Sequence, residues 1–328
     1  MNEQPLVTII VPCYNHERFI TDCLKSFIGQ TYDNIEMLIY DDCSTDQSVS
    51  IIREFLPELE KRMVRVEFHV NESNLGVTKT VNKGIKSAKG KYIKALASDD
   101  ILAPLGIERL VNAFEREPGW DILFCNGYYM PEESTYPDVL SEELPLCYTQ
   151  NPMPETGIFE ALYRENFLYP AGLIVKKTTY EKFGMYDETN RVEDWEYSLR
   201  IAQRGTIGYT NEKLFYYRRV SVSISTLSNT GNARYRLQYM YCSMFDTMEK
   251  YADRAGQALY RTKKRQVYEY FAEAAIKLDL RDKVKEVQKN ARDDKIALSV
   301  KCQIKILLYY CNLYKIVMAM KNKDKEIA

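Results

Sequence analysis

Five short segments rich in β-branched and aromatic residues recur along the first part of the chain: Val7–Val11, an apolar run, and Ile35–Tyr40, Val64–Val70, Tyr92–Ala97 and Ile122–Tyr129. Each is too short for a buried helix and reads as a strand. Helical stretches lie between them. From about Glu17 to Gly29, Phe19, Ile20, Cys23, Leu24 and Phe27 fall at helical spacing. Ser44-Thr45-Asp46 offers capping side chains for a helix to about Arg62. Asn74-Leu75-Gly76 makes a turn before a helix to about Lys89, which Gly90 stops, and Pro104 opens another. Such alternation predicts an α/β fold with a mostly parallel sheet covered on both faces. Ligands of these sheets bind beyond the carboxyl ends of the strands. Two acidic pairs, Asp41-Asp42 and Asp99-Asp100, fall there.

Residues 131–157, rich in Pro, Glu and Ser, read as a long loop. Leu173–Val175 then reads as a strand, Trp195–Arg204 as a helix ended by Gly205, and Leu214–Val220 as a further strand. From about Arg234 the chain reads as helical throughout. The length, 328 residues, suits one large domain with an appendage. A net charge of −1 excludes a nucleic-acid binder driven by overall electrostatics. Eight cysteines show no zinc-like or redox-like pairing and are expected as reduced thiols; with only His16 and His69, a histidine-built zinc site is excluded as well. No signal-peptide pattern opens the chain and no apolar run is long enough to span a bilayer, so a cytoplasmic protein is expected. Neither a Gly-x-Gly-x-x-Gly turn nor a P-loop occurs, against a dinucleotide cofactor and a P-loop nucleotidase.

Each acidic group has two readings. Asp99-Asp100 caps the helix after Pro104, or binds a hard divalent cation, Mg²⁺ or Mn²⁺, which commonly takes one or two carboxylates plus substrate phosphates. Asp41-Asp42 caps a helix, or accepts hydrogen bonds from a ring N–H or ribose hydroxyls. In Val192-Glu193-Asp194-Trp195-Glu196, Asp194 is an N-cap, or a general base if it faces the crevice.

Taken in order, these segments resemble the inverting family 2 glycosyltransferases of the GT-A fold. Thr8-Ile9-Ile10-Val11-Pro12-Cys13-Tyr14-Asn15 resembles the opening strand of that family. Gln30-Thr31-Tyr32 and Asp41-Asp42-Cys43-Ser44-Thr45-Asp46 resemble its second strand and nucleotide-binding turn. Asn74-Leu75-Gly76 with Asn82, Gly84, Ala88 and Gly90 resembles the next stretch, and Ser98-Asp99-Asp100 its metal-binding acidic motif. Gly184-Met185-Tyr186-Asp187-Glu188 and Glu193-Asp194 resemble its acceptor-side segment and base; the likeness runs from about residue 5 to 225.

The resemblance implies a GT-A domain over 1–227, with a nucleotide-sugar half to about 103 and an acceptor half from about 104, and a helical extension over 228–328. It implies transfer of a sugar, with inversion, from a nucleotide-diphosphate donor (UDP expected) to a hydroxyl of a glycan or lipid-linked acceptor in surface-polysaccharide synthesis. Pro12, Tyr14, Asp41 and Asp42 would line the base and ribose, with Lys79 either a cation for the nucleotide or a solvated lysine. Asp99 would contact the ribose side, Asp100 the Mn²⁺ or Mg²⁺ on the diphosphate, and Asp194 would take the acceptor proton. One departure stands out. Many relatives carry Tyr-Arg-x-His-x-x-Ser, whereas Tyr217-Arg218-Arg219-Val220 puts valine where a metal or phosphate ligand would be. Arg218 and Arg219 are then expected to take up diphosphate charge, unless one is structural. The rival readings are a non-catalytic nucleotide-sugar or glycan-binding protein, which the missing histidine favours, and a phosphotransferase, which the missing phosphate-cradling loop disfavours.

Near the C-terminus, Ile296, Val300, Ile304, Leu307, Cys311, Tyr314 and Met318 fall on one helical stripe, accompanied by Lys301, Lys305, Lys315, Lys321, Lys323 and Lys325. The stripe is expected to pack on the catalytic domain or pair with a second subunit. The other reading is a basic amphipathic helix on an anionic membrane surface.

Overall fold

The computed structural model describes residues 4–150, 152–220 and 233–314. The chain forms two compact units, one of residues 1–188 and 193–220, the other of 189–192 and 221–328. The boundary expected near 227 lies outside the described residues.

The first unit is built on one eight-stranded sheet. Its strands are β1 (Val7–Cys13), β2 (Ile35–Asp41), β3 (Arg65–Val70), β4 (Tyr92–Ala95), β5 (Ile101–Leu102), β6 (Ile122–Met130), β7 (Leu173–Lys176) and β8 (Ile207–Arg218), in the order β3-β2-β1-β4-β7-β6-β8-β5. The near-continuous burial of β1 and β2 is what parallel strands covered on both faces require. β1 pairs in parallel with β2 and β4, and β2 with β3. The helices are α1 (Ile20–Ile28), α2 (Ser48–Arg62), α3 (Val77–Ser87), α4 (Gly106–Arg116), α5 (Ile158–Arg164), α6 (Lys177–Phe183) and α7 (Glu193–Arg204). In α1 the residues Ile20, Cys23, Leu24 and Phe27 are buried, and in α4 Ile107, Leu110, Val111 and Phe114 are, as their spacing dictates.

The second half of the sheet is less parallel than expected. β7 runs antiparallel between β4 and β6, and β5 antiparallel along β8. The expected strand Tyr92–Ala97 also divides. It leaves the sheet after Ala95, Leu96 N still donates to Ile10 O, and a turn closed by Asp100 N on Ala97 O carries the chain across to β5. β8 begins at Ile207, well before the expected Leu214, because its polar start Thr210-Asn211-Glu212-Lys213 hides the strand pattern. The pairing of β6 with β8 shifts register around Asn126. The long loop after β6 holds a short 3₁₀ turn at Asp138–Ser141.

Glu36 on β2 is buried in this sheet. It accepts from Thr8 Oγ1, from Lys89 N at 2.5 Å, from Gly90 N at 3.1 Å and from Arg65 Nη1 at 2.5 Å. Gly90 is required at this crossing, since a Cβ there would lie 2.5 Å from Thr8 N. Burial pushes the Glu36 carboxyl up, but the donors and the Arg65 charge outweigh it and hold the group below the usual range.

The second unit is helical: α8 (Ala233–Lys250), α9 (Ala252–Ala255), α10 (Gln257–Lys277), α11 (Arg281–Asp293) and α12 (Val300–Tyr310). Val267, Phe271 and Ala275 of α10 form its core with Val284, Val287 and Ala291 of α11 and Cys302, Ile306 and Tyr309 of α12. This corrects the expected C-terminal stripe. Ile296 is buried, yet Val300, Ile304, Leu307 and Cys311 are exposed. Ile296 precedes the helix and does not share its phase, so α12 seats on its Cys302–Ile306–Tyr309 face instead. Tyr314 is half-buried, and Met318 lies outside the described residues.

A depressed carboxyl stabilises the fold above its unfolded value and loses that contribution as pH falls through the lower folded value. Glu36→Gln should therefore cost about 3 kcal/mol at neutral pH, with the gap to wild type narrowing below about pH 4. Urea unfolding across pH checks this; a gap independent of pH would show that the charge is not what matters.

Candidate active site

The carboxyl ends of β1, β2 and β4 meet in a set of interlocked turns. Asp42 N donates to Cys13 O at 2.8 Å. Asn15, in the left-handed region at φ 52°, donates its N–H to Ser44 Oγ and accepts from Thr45 N through Oδ1, both at 2.8 Å. Asp46 Oδ1 accepts from Ser48 N at 2.9 Å at the start of α2, whose N-cap is Gln47, one residue after the expected Ser44-Thr45-Asp46. Pro12 is half-buried and Tyr14 exposed at the mouth of β1.

The first acidic pair is built into these turns. Asp41 is fully buried, with Oδ1 accepting from Ser44 N at 2.8 Å and Oδ2 from Ser44 Oγ at 2.6 Å. Both oxygens of Asp41, expected near the base or ribose, are thus taken up by Ser44 in this structure. Asp42 Oδ1 accepts from Asn71 Nδ2 at 2.9 Å and Leu75 N at 2.8 Å, and Oδ2 from Gly76 N at 2.8 Å. It thereby fixes the turn that launches α3, where main-chain N–H groups need an acceptor. Lys79 lies exposed on the first turn of α3.

The second acidic pair sits on a corner held from three sides. His16 Nδ1 lies 2.8 Å from Ser98 Oγ. Cys23 of α1 donates through Sγ to Ala97 O. From β8, Arg218 N donates to Asp100 Oδ1 at 2.9 Å, and Arg218 Nε donates to Asp99 O at 2.8 Å. The rest of the Arg218 guanidinium also faces protein: Nη1 donates to Glu132 O at 2.8 Å and to Ser134 O at 2.5 Å, and Nη2 pairs with Asp22 Oδ2 at 3.3 Å. Arg218 is only 2 % exposed, which corrects its expected role on the diphosphate: it is the structural arginine of the two. Arg219 is the exposed one, its guanidinium 4.3 Å from the centre of the Tyr129 ring.

Asp100 is buried. Burial first, then the neighbouring Asp99 charge, push its carboxyl well above the usual range, against the Arg218 N–H bond and the charges of Lys94 and Arg218. Lys94 lies in β4, fully buried, and donates to Ala171 O and Ala95 O; burial lowers it to about 8. Among the described residues no group of three or more His, Cys, Asp or Glu could hold a metal. The carboxylates of Asp99 and Asp100 alone fit a hard cation that completes its shell with phosphate oxygens, and do not fit a preformed protein cage.

Asp194 stands in the first turn of α7, half-buried. Oδ2 accepts from Asn166 Nδ2 at 3.0 Å, and Oδ1 from Trp195 N at 2.7 Å. Burial raises its pKa, and these two donors work against that. The Asn166 segment is itself anchored. Tyr148 Oη donates to Phe167 O and accepts from Tyr169 N, while Asn126 of β6 holds the Tyr148 main chain. Tyr169 in turn packs on Tyr129 and Tyr217, next to Arg218. A continuous run of contacts thus links the Asp100 corner to Asp194. On the other side, Asn82 of α3 brackets Tyr186, accepting from its N–H and donating to its carbonyl, and so ties the Gly184–Glu188 segment to α3.

Residues 8–178, just over half of the chain, match the family described as "Glycosyl transferase family 2". The chain belongs to glycosyl transferase family 2. The glycosyltransferase GlyG of Streptococcus pneumoniae serotype 4 is 30% identical over 228 residues, covering 67% of this chain and 72% of its own. Among solved structures, Staphylococcus aureus TarS 1-349 in complex with UDP-GlcNAc matches with a TM-score of 0.53 at 16% identity, over 88% of this chain and 92% of that one. The mannosyltransferase PcManGT of Pyrobaculum calidifontis, in complex with GDP-Man and Mn²⁺, matches with a TM-score of 0.54 at 17% identity, over 98% and 88%. At such identities the two structures speak for the fold, which is that of a GT-A glycosyltransferase with C-terminal helices.

Sequence reading missed three residues of this glycosyltransferase site. Lys94 carried a signal, a lysine inside an apolar strand run, which calls for a buried partner. His16 carried a weaker one, as one of two histidines, just after the first strand. Asn166 carried none. The two arginines are separable by stability: Arg218→Leu should cost about 3–5 kcal/mol, and Arg219→Leu about 1 kcal/mol or less. Chemical unfolding of both variants checks this; equal losses would refute the division.

Proposed function

We propose that this family 2 glycosyltransferase moves a sugar, with inversion, from a nucleotide-diphosphate donor, UDP the favoured carrier, to a hydroxyl of a glycan or lipid-linked acceptor of surface-polysaccharide type. The observation that carries the reading is the Asp99–Asp100 corner, where Arg218 holds the Asp99 carbonyl and the Asp100 carboxylate and no group of three or more metal-ligating side chains gathers among the described residues. The UDP-GlcNAc of TarS and the GDP-Man and Mn²⁺ of PcManGT support a nucleotide sugar and a divalent ion. The residues to about 103 form the nucleotide-sugar half and those from about 104 to 227 the acceptor half. Eight unpaired cysteines agree with a cytoplasmic enzyme.

Pro12, Tyr14 and the Asp42-braced turn border the base and ribose, with Lys79 beside them and Asp99 on the ribose side. Asp100 holds Mn²⁺ or Mg²⁺ on the diphosphate, without a third ligand from Val220. When bound, the cation supplies Lewis-acid stabilisation of the leaving diphosphate. Arg219, exposed beside the Tyr129 ring, adds a guanidinium to that charge. Asp194 takes the proton of the acceptor hydroxyl as it attacks an oxocarbenium-like centre from the face opposite the diphosphate, which gives inversion.

Burial raises the Asp194 pKa, which makes its carboxylate a stronger proton acceptor once ionised. Activity is lost as pH falls through that value. Asp194→Asn should lower kcat by about 10²–10⁴-fold with donor affinity unchanged. Asn166→Ala, which removes a donor that lowers the Asp194 pKa, should move the acidic limb of kcat to higher pH. UDP release from UDP-sugars with a glycan acceptor reads both. Normal transfer by Asp194→Asn would refute the base, and donor binding without any turnover in wild type would favour a binding protein.

A further inference from the structure

The second unit carries a surface that donor chemistry does not use. Val300, Ile304 and Leu307 recur at i, i+4 and i+7 along the outer face of α12 and are 71%, 50% and 62% exposed. A single exposed leucine is ordinary; three on one helical line form a stripe. The stripe borders a groove of about 650 Å³ between α11 and α12, with Arg292 on its α11 side and Tyr310 on its α12 side. On α11 the same spacing repeats with cations. Lys285, Lys289 and Arg292 stand at i, i+4 and i+7, all exposed. An apolar row thus runs along one helix and a basic row along its neighbour, with the groove between them.

The sequence reinforces this asymmetry. Residues 281–328 contain twelve basic and six acidic side chains, although the whole chain has a net charge of −1. Among the acidic ones, Glu286 pairs with Lys283 and Asp294 with Lys264, so neither offsets the α11 row. No helix of the described residues is long and apolar enough to cross a membrane.

We propose that the α11–α12 face docks on an anionic lipid surface. Lys285, Lys289 and Arg292 meet headgroup phosphates, and Val300, Ile304 and Leu307 enter the boundary between headgroups and acyl chains, with α12 lying in the plane of the interface. Tyr310 at the groove matches the aromatic preference of that layer. A second copy of the chain fits less well. A second copy brings a second cationic row and no anionic complement to this face, whereas an anionic surface neutralises the row. The inference rests on the second unit alone and does not depend on the donor, the metal or the base.

Sedimentation of the full-length protein with vesicles of equal parts phosphatidylcholine and phosphatidylglycerol tests it, with phosphatidylcholine alone as the reference. Wild type should bind the anionic vesicles and not the neutral ones. Lys285→Glu/Lys289→Glu/Arg292→Glu should lower the partition coefficient roughly a hundredfold. Ile304→Asp/Leu307→Asp should lower it by roughly tenfold or more. Both sets lie on exposed positions, so circular dichroism and thermal unfolding should match wild type. Partitioning unchanged in both variants overturns the proposal. So does a concentration-dependent dimer, seen by sedimentation velocity, that Ile304→Asp/Leu307→Asp dissolves.

Discussion

One buried guanidinium holds the proposed donor site together. Arg218 reaches from the end of β8 to Asp22 of α1, to the carbonyls of Glu132 and Ser134 in the long loop, and to Asp99 O, while its own N–H caps Asp100. Three segments distant in sequence are thereby fixed to one side chain. A buried charge is costly unless fully paired, and here the donor fork is matched to acceptors on every side. The Asp99–Asp100 corner therefore does not rest on local turn chemistry alone. It has its shape because β8 ends beneath it.

The two acidic pairs look alike in sequence and differ in the fold. Asp41 and Asp42 spend their oxygens on Ser44, Asn71, Leu75 and Gly76 and shape the turns around the nucleotide side. At the second pair, the Asp100 carboxylate accepts from the Arg218 main-chain N–H, and burial together with the Asp99 charge makes its own charge unfavourable until something positive arrives. The difference follows from what each pair precedes. Asp41-Asp42 is followed by Cys43 at φ 66° and by turns whose N–H groups need acceptors, whereas Asp99-Asp100 leads directly into the short strand β5.

Much of the first unit was legible because its central strands, β1 and β2 above all, are buried on both faces and write themselves as largely apolar segments. Asp100, Asp194, Pro12 and Lys79 could be placed at the start or end of an element from pattern alone. What could not be read depends on pairing over distance. The antiparallel insertion of β7 and the early start of β8 arise from sheet partners, not from local sequence. The roles of Arg218 and Arg219, adjacent and chemically identical, are set by the alternation of a strand end, which turns one inward and leaves the other outside. Asn166 lies in a segment without periodicity, and only the fold reveals its contact with Asp194. In the C-terminal stripe, the helical phase starts only at Val300, so Ile296 does not share it although its spacing in the sequence suggests that it should.

The account's central claim is that the Asp99–Asp100 corner binds a divalent cation only together with a diphosphate. Calorimetric titration of Mn²⁺ into the protein, with and without UDP, tests it most directly. Because coupling between ligands is reciprocal, the account predicts weak Mn²⁺ binding to the protein alone, tight binding when UDP is present, an equal strengthening of UDP by Mn²⁺, and loss of both effects in Asp100→Asn. Tight Mn²⁺ binding without nucleotide, or UDP affinity indifferent to Mn²⁺ and to Asp100, would contradict it.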